Sequence, residues 1–356
     1  VNMRQEGKNR TMRHSIVSFF AVTIAASGFL LGAMPTMAQT VEGPEVKWNA
    51  SLWGKEREFT QATEAVADYV SEKTGGRFTI AIHYGEALSK SRENLDGIKL
   101  GAFDVAMFCA GYHPGKNPAI TVLELPFIYG DLDGAQAAAE TIYDHPYVKE
   151  EMARWNAMLL VSSMMPPQRI FGKGEVPDEI ADFDGMRIRA LGGMGQALAK
   201  LNAVPTSVPA PEVFTAIDRG TINAATSTIG SAFSFGIAEA SDWFTGNLKL
   251  GASTCPTVVA LDSFNELPEQ YQKVLMNARA TAHAHAKQIW GATENTVKLM
   301  ELGKQEAIFS EGDIAKIKEL GGKPVWSAWI EKHAEMGLPA QELFDAMMEG
   351  IAAATN

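Results

Sequence analysis

The chain has 356 residues, a formal net charge of -11, and 46% hydrophobic and 21% charged residues. That acidity repels phosphate backbones and anionic lipid, which sets nucleic acid and membrane surfaces aside as partners, and the composition is that of a globular protein. A small anion stays compatible with it if a few arginines are focused inside a cleft.

Met12 to Ala38 has the plan of a secretory signal: Arg13 and His14, an apolar stretch from about Ile16 to Met34, then Thr36-Met37-Ala38 as a small-residue cleavage site. Serines, threonines and glycines dilute the stretch relative to a membrane anchor. Cleavage there starts the mature chain near Gln39, and the residues before Met12 read as an over-extended reading frame. About 320 residues remain, too many for one compact core, so two domains with a cleft are expected.

Phe59, Ala62, Val66 and Val70 recur at helical spacing up to Gly75-Gly76, and Phe78 to Tyr84 alternates as a strand. A helix over Ser91 to Leu100 and a strand over Phe103 to Cys109 follow, then helices over Gly134 to Tyr143 and Pro146 to Trp155 and a strand at Met158 to Ser163. A second unit opens at about Gln168. Its expected strands are Arg169 to Lys173, Gly185 to Arg189 and Val204 to Val208, with helices at Gly195 to Leu201 and Pro211 to Arg219. The alternation predicts an α/β fold with mostly parallel sheets flanked by helices. Pro268 to about Gln305 lacks an internal proline and reads either as one long helix or as two broken near Gly291.

Enzyme signatures are missing: there is no G-x-S-x-G elbow, no H-E-x-x-H helix and no S-x-x-K followed by K-T-G. His283 and His285 lie two apart, on different helix faces, so no metal site is expected, nor any cofactor. Cys109 and Cys255 sit in apolar runs and read as free buried thiols, although an exported protein would allow them to pair.

Asp184-Gly185-Met186-Arg187-Ile188-Arg189 reads as a strand ending in arginine, and Gln168-Arg169-Ile170-Phe171-Gly172 opens another. Here the chain resembles the extracytoplasmic solute-binding proteins of TRAP transporters, the DctP-like family. Lys73-Thr74-Gly75-Gly76-Arg77, Leu100-Gly101-Ala102-Phe103-Asp104, Leu125-Pro126-Phe127 and Asn265-Glu266-Leu267-Pro268 are similar to further family segments, in the same order. The resemblance implies a two-domain periplasmic-binding-protein-like fold with a hinge and a long helix bracing both domains. It divides the chain into residues 39–166 plus 254–290 and residues 167–253 plus 291–356, after a signal and upstream segment of residues 1–38.

It also implies that Arg189 grips a ligand carboxylate, for which a guanidinium offers paired donors and a permanent charge. Arg169 becomes a second polar contact. Strand periodicity alone does not separate Arg189 from Arg187, since both face one side. Where many members read D-G-Q-E-N-P, this chain has Asn223-Ala224-Ala225-Thr226-Ser227-Thr228, so the family's asparagine falls on Ser227 and its usual C4-dicarboxylate specificity is put in question. Thr226 and Ser227 are candidate contacts. Loops at the carboxyl ends of the first domain's strands would supply Trp53, Tyr84, Phe108 and Tyr112 for an apolar or aromatic body, and Glu86 for a hydroxyl or amine.

The function so implied is capture of a small organic acid outside the cytoplasm by a monomeric, non-enzymatic receptor that delivers it to TRAP membrane permease subunits. Two other readings are an exported α/β hydrolase or lyase, with His83, His113 or His145 as base, and a periplasmic sensory binding protein.

Overall fold

The computed structural model describes residues 40–354 apart from 164 and 294. The signal segment and its cleavage point lie outside the described residues. Among the described residues, no helix is long and apolar enough to cross a membrane.

Eleven strands form two sheets among the described residues: β1 (Val46–Ser51), β2 (Phe78–His83), β3 (Val105–Met107), β4 (Ala157–Val161), β5 (Arg169–Gly172), β6 (Arg187–Arg189), β7 (Val204–Thr206), β8 (Ala224–Ser227), β9 (Trp243–Thr245), β10 (Thr257–Ala260) and β11 (Gln305–Ala307). One sheet has the order β2-β1-β3-β10-β4, the other β11-β9-β5-β8-β6-β7. β1 runs parallel to β2 and β3, and β6 runs parallel to β7 and β8. β10 and β5 are antiparallel to both of their neighbours. The chain passes between the sheets three times, from β4 to β5, from β9 to β10 and from β10 to β11.

Both faces of each sheet are covered, which is why strands such as β3, β4 and β10 are short, mostly apolar runs. Along β4 and β10, Leu159 and Val258 turn to one apolar cluster and Leu160 and Val259 to the other. In the second sheet Ile170 and Trp243 face one cluster, Phe171 and Phe244 the opposite one.

The helix Glu269–Thr293 packs Tyr271, Leu275, Ala278 and Trp290 into the first sheet's core, largely against the helix Gln61–Lys73. It stops at Thr293, and the separate helix Val297–Glu301 seats Leu299 in the second sheet's core. Of the two readings open from the sequence, the structure has two helices, the first running past Gly291 to Thr293, and together they connect the two cores. The helix Ala340–Ala354 packs on Leu132–Asp144, in a cluster that also holds Phe108 and Val258 of the first sheet's side. The last helix thus lies with the five-stranded sheet, although residues 291–356, which contain it, are assigned from sequence to the second domain.

The cysteines are joined in a disulfide, Cys109 to Cys255. The expectation of free thiols is corrected, and register explains why. Antiparallel pairing sets Met107 opposite Thr257, and the same register carried two residues further brings Cys109 opposite Cys255. The partners are 146 residues apart, so no local pattern reveals the pairing.

Candidate functional site

The carboxyl ends of β1, β3, β6 and β8 converge on one cavity, where open α/β sheets bind ligands. Its walls include Trp53, Cys109 and Tyr112 from loops of the five-stranded sheet, Arg189, Thr226 and Ser227 from the six-stranded sheet, and Gln168 and Cys255 from the crossing segments. The free space within it is about 30 Å3, room for roughly two water molecules and less than an organic acid fills.

Arg189 is 5% exposed. Its Nε donates to Val208 O at 2.8 Å, Nη1 to Thr226 O at 3.2 Å and Nη2 to Tyr112 Oη at 3.1 Å. All three acceptors are neutral, and among the described residues Arg189 forms no ion pair. A guanidinium has five N–H groups, so one on each terminal nitrogen is uncommitted. Tyr112 Oη also accepts from Ala210 N at 2.8 Å, leaving its own hydrogen available to an acceptor. Position along the strand separates the two arginines that periodicity left equivalent: Arg187 lies at the outer end of β6, exposed and bonded to Asn223 and Gly220.

The cavity wall is aromatic. Trp53 meets Tyr112 edge-on at 5.6 Å between centroids and stacks with Phe235 at 5.9 Å. Behind this layer lies Arg57, 6% exposed, its guanidinium 4.5 Å from the Trp53 ring and 4.9 Å from that of Phe235. Burial lowers its pKa to about 10, offset by the neighbouring Glu58 carboxylate. Glu58 accepts from Ser231 Oγ at 3.0 Å, a bond from the loop after β1 to the helix after β8. Arg57, Glu58, Phe235 and Gln168 are absent from the sequence-derived set, because nothing local distinguishes them from core or surface residues.

The structure thus gathers Trp53, Tyr112, Arg189, Thr226 and Ser227 around one cavity. It sets the other four expected residues elsewhere. Arg169 is buried on β5 and donates through Nη1 to Thr245 O at 2.9 Å and to Gly246 O. Phe108 sits in the core beside His113. Tyr84 Oη donates to Glu64 at 2.8 Å, and Glu86 accepts from Ser91 N at 2.8 Å beside Lys90. None of the three histidines considered as bases lines this cavity. His83 bonds Asn49, His145 bonds Glu342, and burial holds His113 down at about 4.

Glu124 is fully buried next to the site. Its Oε1 accepts from Thr254 N at 3.1 Å and Gly111 N at 3.3 Å. Desolvation raises its pKa to about 7, against these two bonds and the charge of Arg189. Gly192 accommodates the carboxyl: a Cβ there would stand 2.7 Å from Glu124 Oε2, and the residue's φ is +50°.

Two α/β sheets joined by chain crossings around this cavity make up the two-domain fold of periplasmic binding proteins. Residues 50–332 match the family model described as bacterial extracellular solute-binding protein, family 7. The chain belongs to that family, the DctP family of TRAP-transporter solute-binding proteins. Its members are binding proteins of transporters. A relative from Nostoc sp. strain PCC 7120, named a monocarboxylate 2-oxoacid-binding periplasmic protein, is 25% identical over 287 residues, which are 76% of each chain. Two solved structures share the fold. A marine metagenome TRAP protein specific for aromatic acids, with 3-hydroxybenzoate, has a TM-score of 0.79 at 22% identity, covering 88% of this chain and 100% of that one. A TRAP protein of Rhodoferax ferrireducens with benzoate has a TM-score of 0.80 at 20% identity, covering 87% and 98%.

Proposed function

We propose that this solute-binding protein captures an organic monocarboxylate with an aromatic or other apolar body, closes on it by a hinge, and passes it unaltered to TRAP permease subunits. The observation that carries the ligand class is the buried Arg189 guanidinium, bonded only to neutral groups at the cavity. A buried cation of this kind favours an anion, and its two uncommitted N–H groups suit the two oxygens of a carboxylate. The hydrogen of Tyr112 Oη and the hydroxyls of Thr226 and Ser227 supply further donors. Trp53, Tyr112 and Phe235 give the ligand body a flat apolar wall. The aromatic acids bound by the two structural neighbours and the monocarboxylate named for the Nostoc relative fit the same chemistry.

In this reading Arg169 acts at one remove, holding the Thr245–Gly246 turn through the bonds described above. The chain works as a monomer in the periplasm after cleavage near Ala38. One domain comprises residues 39–166 and 254–290 with the packed C-terminal helix; the other comprises residues 167–253 and the segment from 291 through β11. Calorimetric titration of benzoate and of 2-oxo monocarboxylates tests the reading. Micromolar or tighter binding of one class supports it; no binding of any monocarboxylate contradicts it.

A further inference from the structure

Two buried side chains of the cavity have polar atoms without a partner in the protein. Gln168, 4% exposed, gives its Nε2 to Ser253 Oγ at 3.0 Å and leaves Oε1 unpartnered. Its backbone is pinned on both sides, N to Gly251 O at 2.6 Å and O from Leu250 N at 3.0 Å, so the amide is held in place. Trp53, 2% exposed, is fixed by its ring contacts with Phe59, Tyr112 and Phe235, and its Nε1–H has no acceptor. Both residues line the cavity. Buried polar groups are nearly always bonded, and one left without a partner in the bound state weakens the complex.

We propose that Gln168 and Trp53 form a second polar subsite that selects an acid carrying a hydroxyl on its apolar body. This rests on the carboxylate reading of Arg189. A hydroxyl is the group that both donates, to Gln168 Oε1, and accepts, from Trp53 Nε1–H. A ketone meets only the indole, and a methyl of similar size meets neither. The discrimination therefore comes from what a non-hydroxylated ligand leaves unbonded.

The test is titration calorimetry with benzoate, the three monohydroxybenzoates and the three matching methylbenzoates, on the wild type, Gln168→Leu and Trp53→Phe. The wild type should prefer one hydroxybenzoate over its methyl counterpart by about ten-fold or more. Each variant should reduce that ratio to about two-fold or less. Equal affinity for every hydroxyl and methyl pair on the wild type would overturn the proposal without any variant, and so would variants that keep the full ratio. Failure of the carboxylate reading is distinguished because the wild type would then bind neither these seven acids nor 2-oxo monocarboxylates, whereas binding of 2-oxo monocarboxylates alone would keep the role of Arg189 and overturn the subsite.

Discussion

Arg189 Nη2 and Tyr112 Oη lie 3.1 Å apart and come from different sheets, the arginine from β6 and the tyrosine from the loop after β3. The same hydroxyl accepts from Ala210 N, so one oxygen ties the first sheet to two points beside the second. The cation is thereby oriented by a group on the opposite wall of the cavity.

Tyr112→Phe keeps the ring against Trp53 and removes only that oxygen. Arg189 and Ala210 N each lose an acceptor in a buried setting, at roughly 1 kcal/mol or more apiece. Carboxylate affinity measured by calorimetry should drop about ten-fold, with faster dissociation in stopped-flow fluorescence. Unchanged affinity would show that the tyrosine hydroxyl has no part in the closed state.

The disulfide joins residues 146 apart, from just after β3 to just before β10, and its cysteines also line the cavity. Constraint of so long a loop in the unfolded chain is worth about 2–5 kcal/mol. The double variant Cys109→Ala, Cys255→Ala should lose that much in denaturant unfolding, and reduction of the wild type should produce a similar loss.

Glu124 gives a pH dependence of defined sign. Burial raises its pKa in the folded protein to about 7, so between the ordinary carboxylate range and pH 7 the folded state holds a proton that the unfolded state has released. Stability from this group is therefore full at acid pH and is lost as pH rises through about 7. Glu124→Gln removes the titration and keeps an acceptor for Thr254 N and Gly111 N. Relative to the wild type, the variant should gain roughly 3 kcal/mol in unfolding free energy between pH 4.5 and pH 8. Glu151 and His113 titrate in both proteins and cancel in the difference. A pH-independent difference would place the Glu124 carboxyl at its ordinary value.

What was legible in the sequence follows from the range of the interactions involved. The helix Gln61–Lys73, strand β2 and the helix at 132–144 declare themselves through their own periodicity. β9, β10 and β11 have three or four residues each, too few for a period to register, and neighbours distant in the chain define them. Arg189 was legible through the motif around it. Arg169, in an equally suggestive context, turns instead to the carbonyls of Thr245 and Gly246, a partner choice settled by tertiary packing. Gln168, Arg57 and Phe235 become visible only when both walls of the cavity are in place. The disulfide depended on a strand register that no single segment encodes.

The central claim is that Arg189 holds the ligand's carboxylate, and calorimetry on Arg189→Ala beside the wild type tests it most directly. With the acid that the wild type binds most tightly, the account predicts a loss of at least about 100-fold in affinity and disappearance of the ligand-induced rise in Tm. A variant that folds and binds that acid as tightly as the wild type would contradict it.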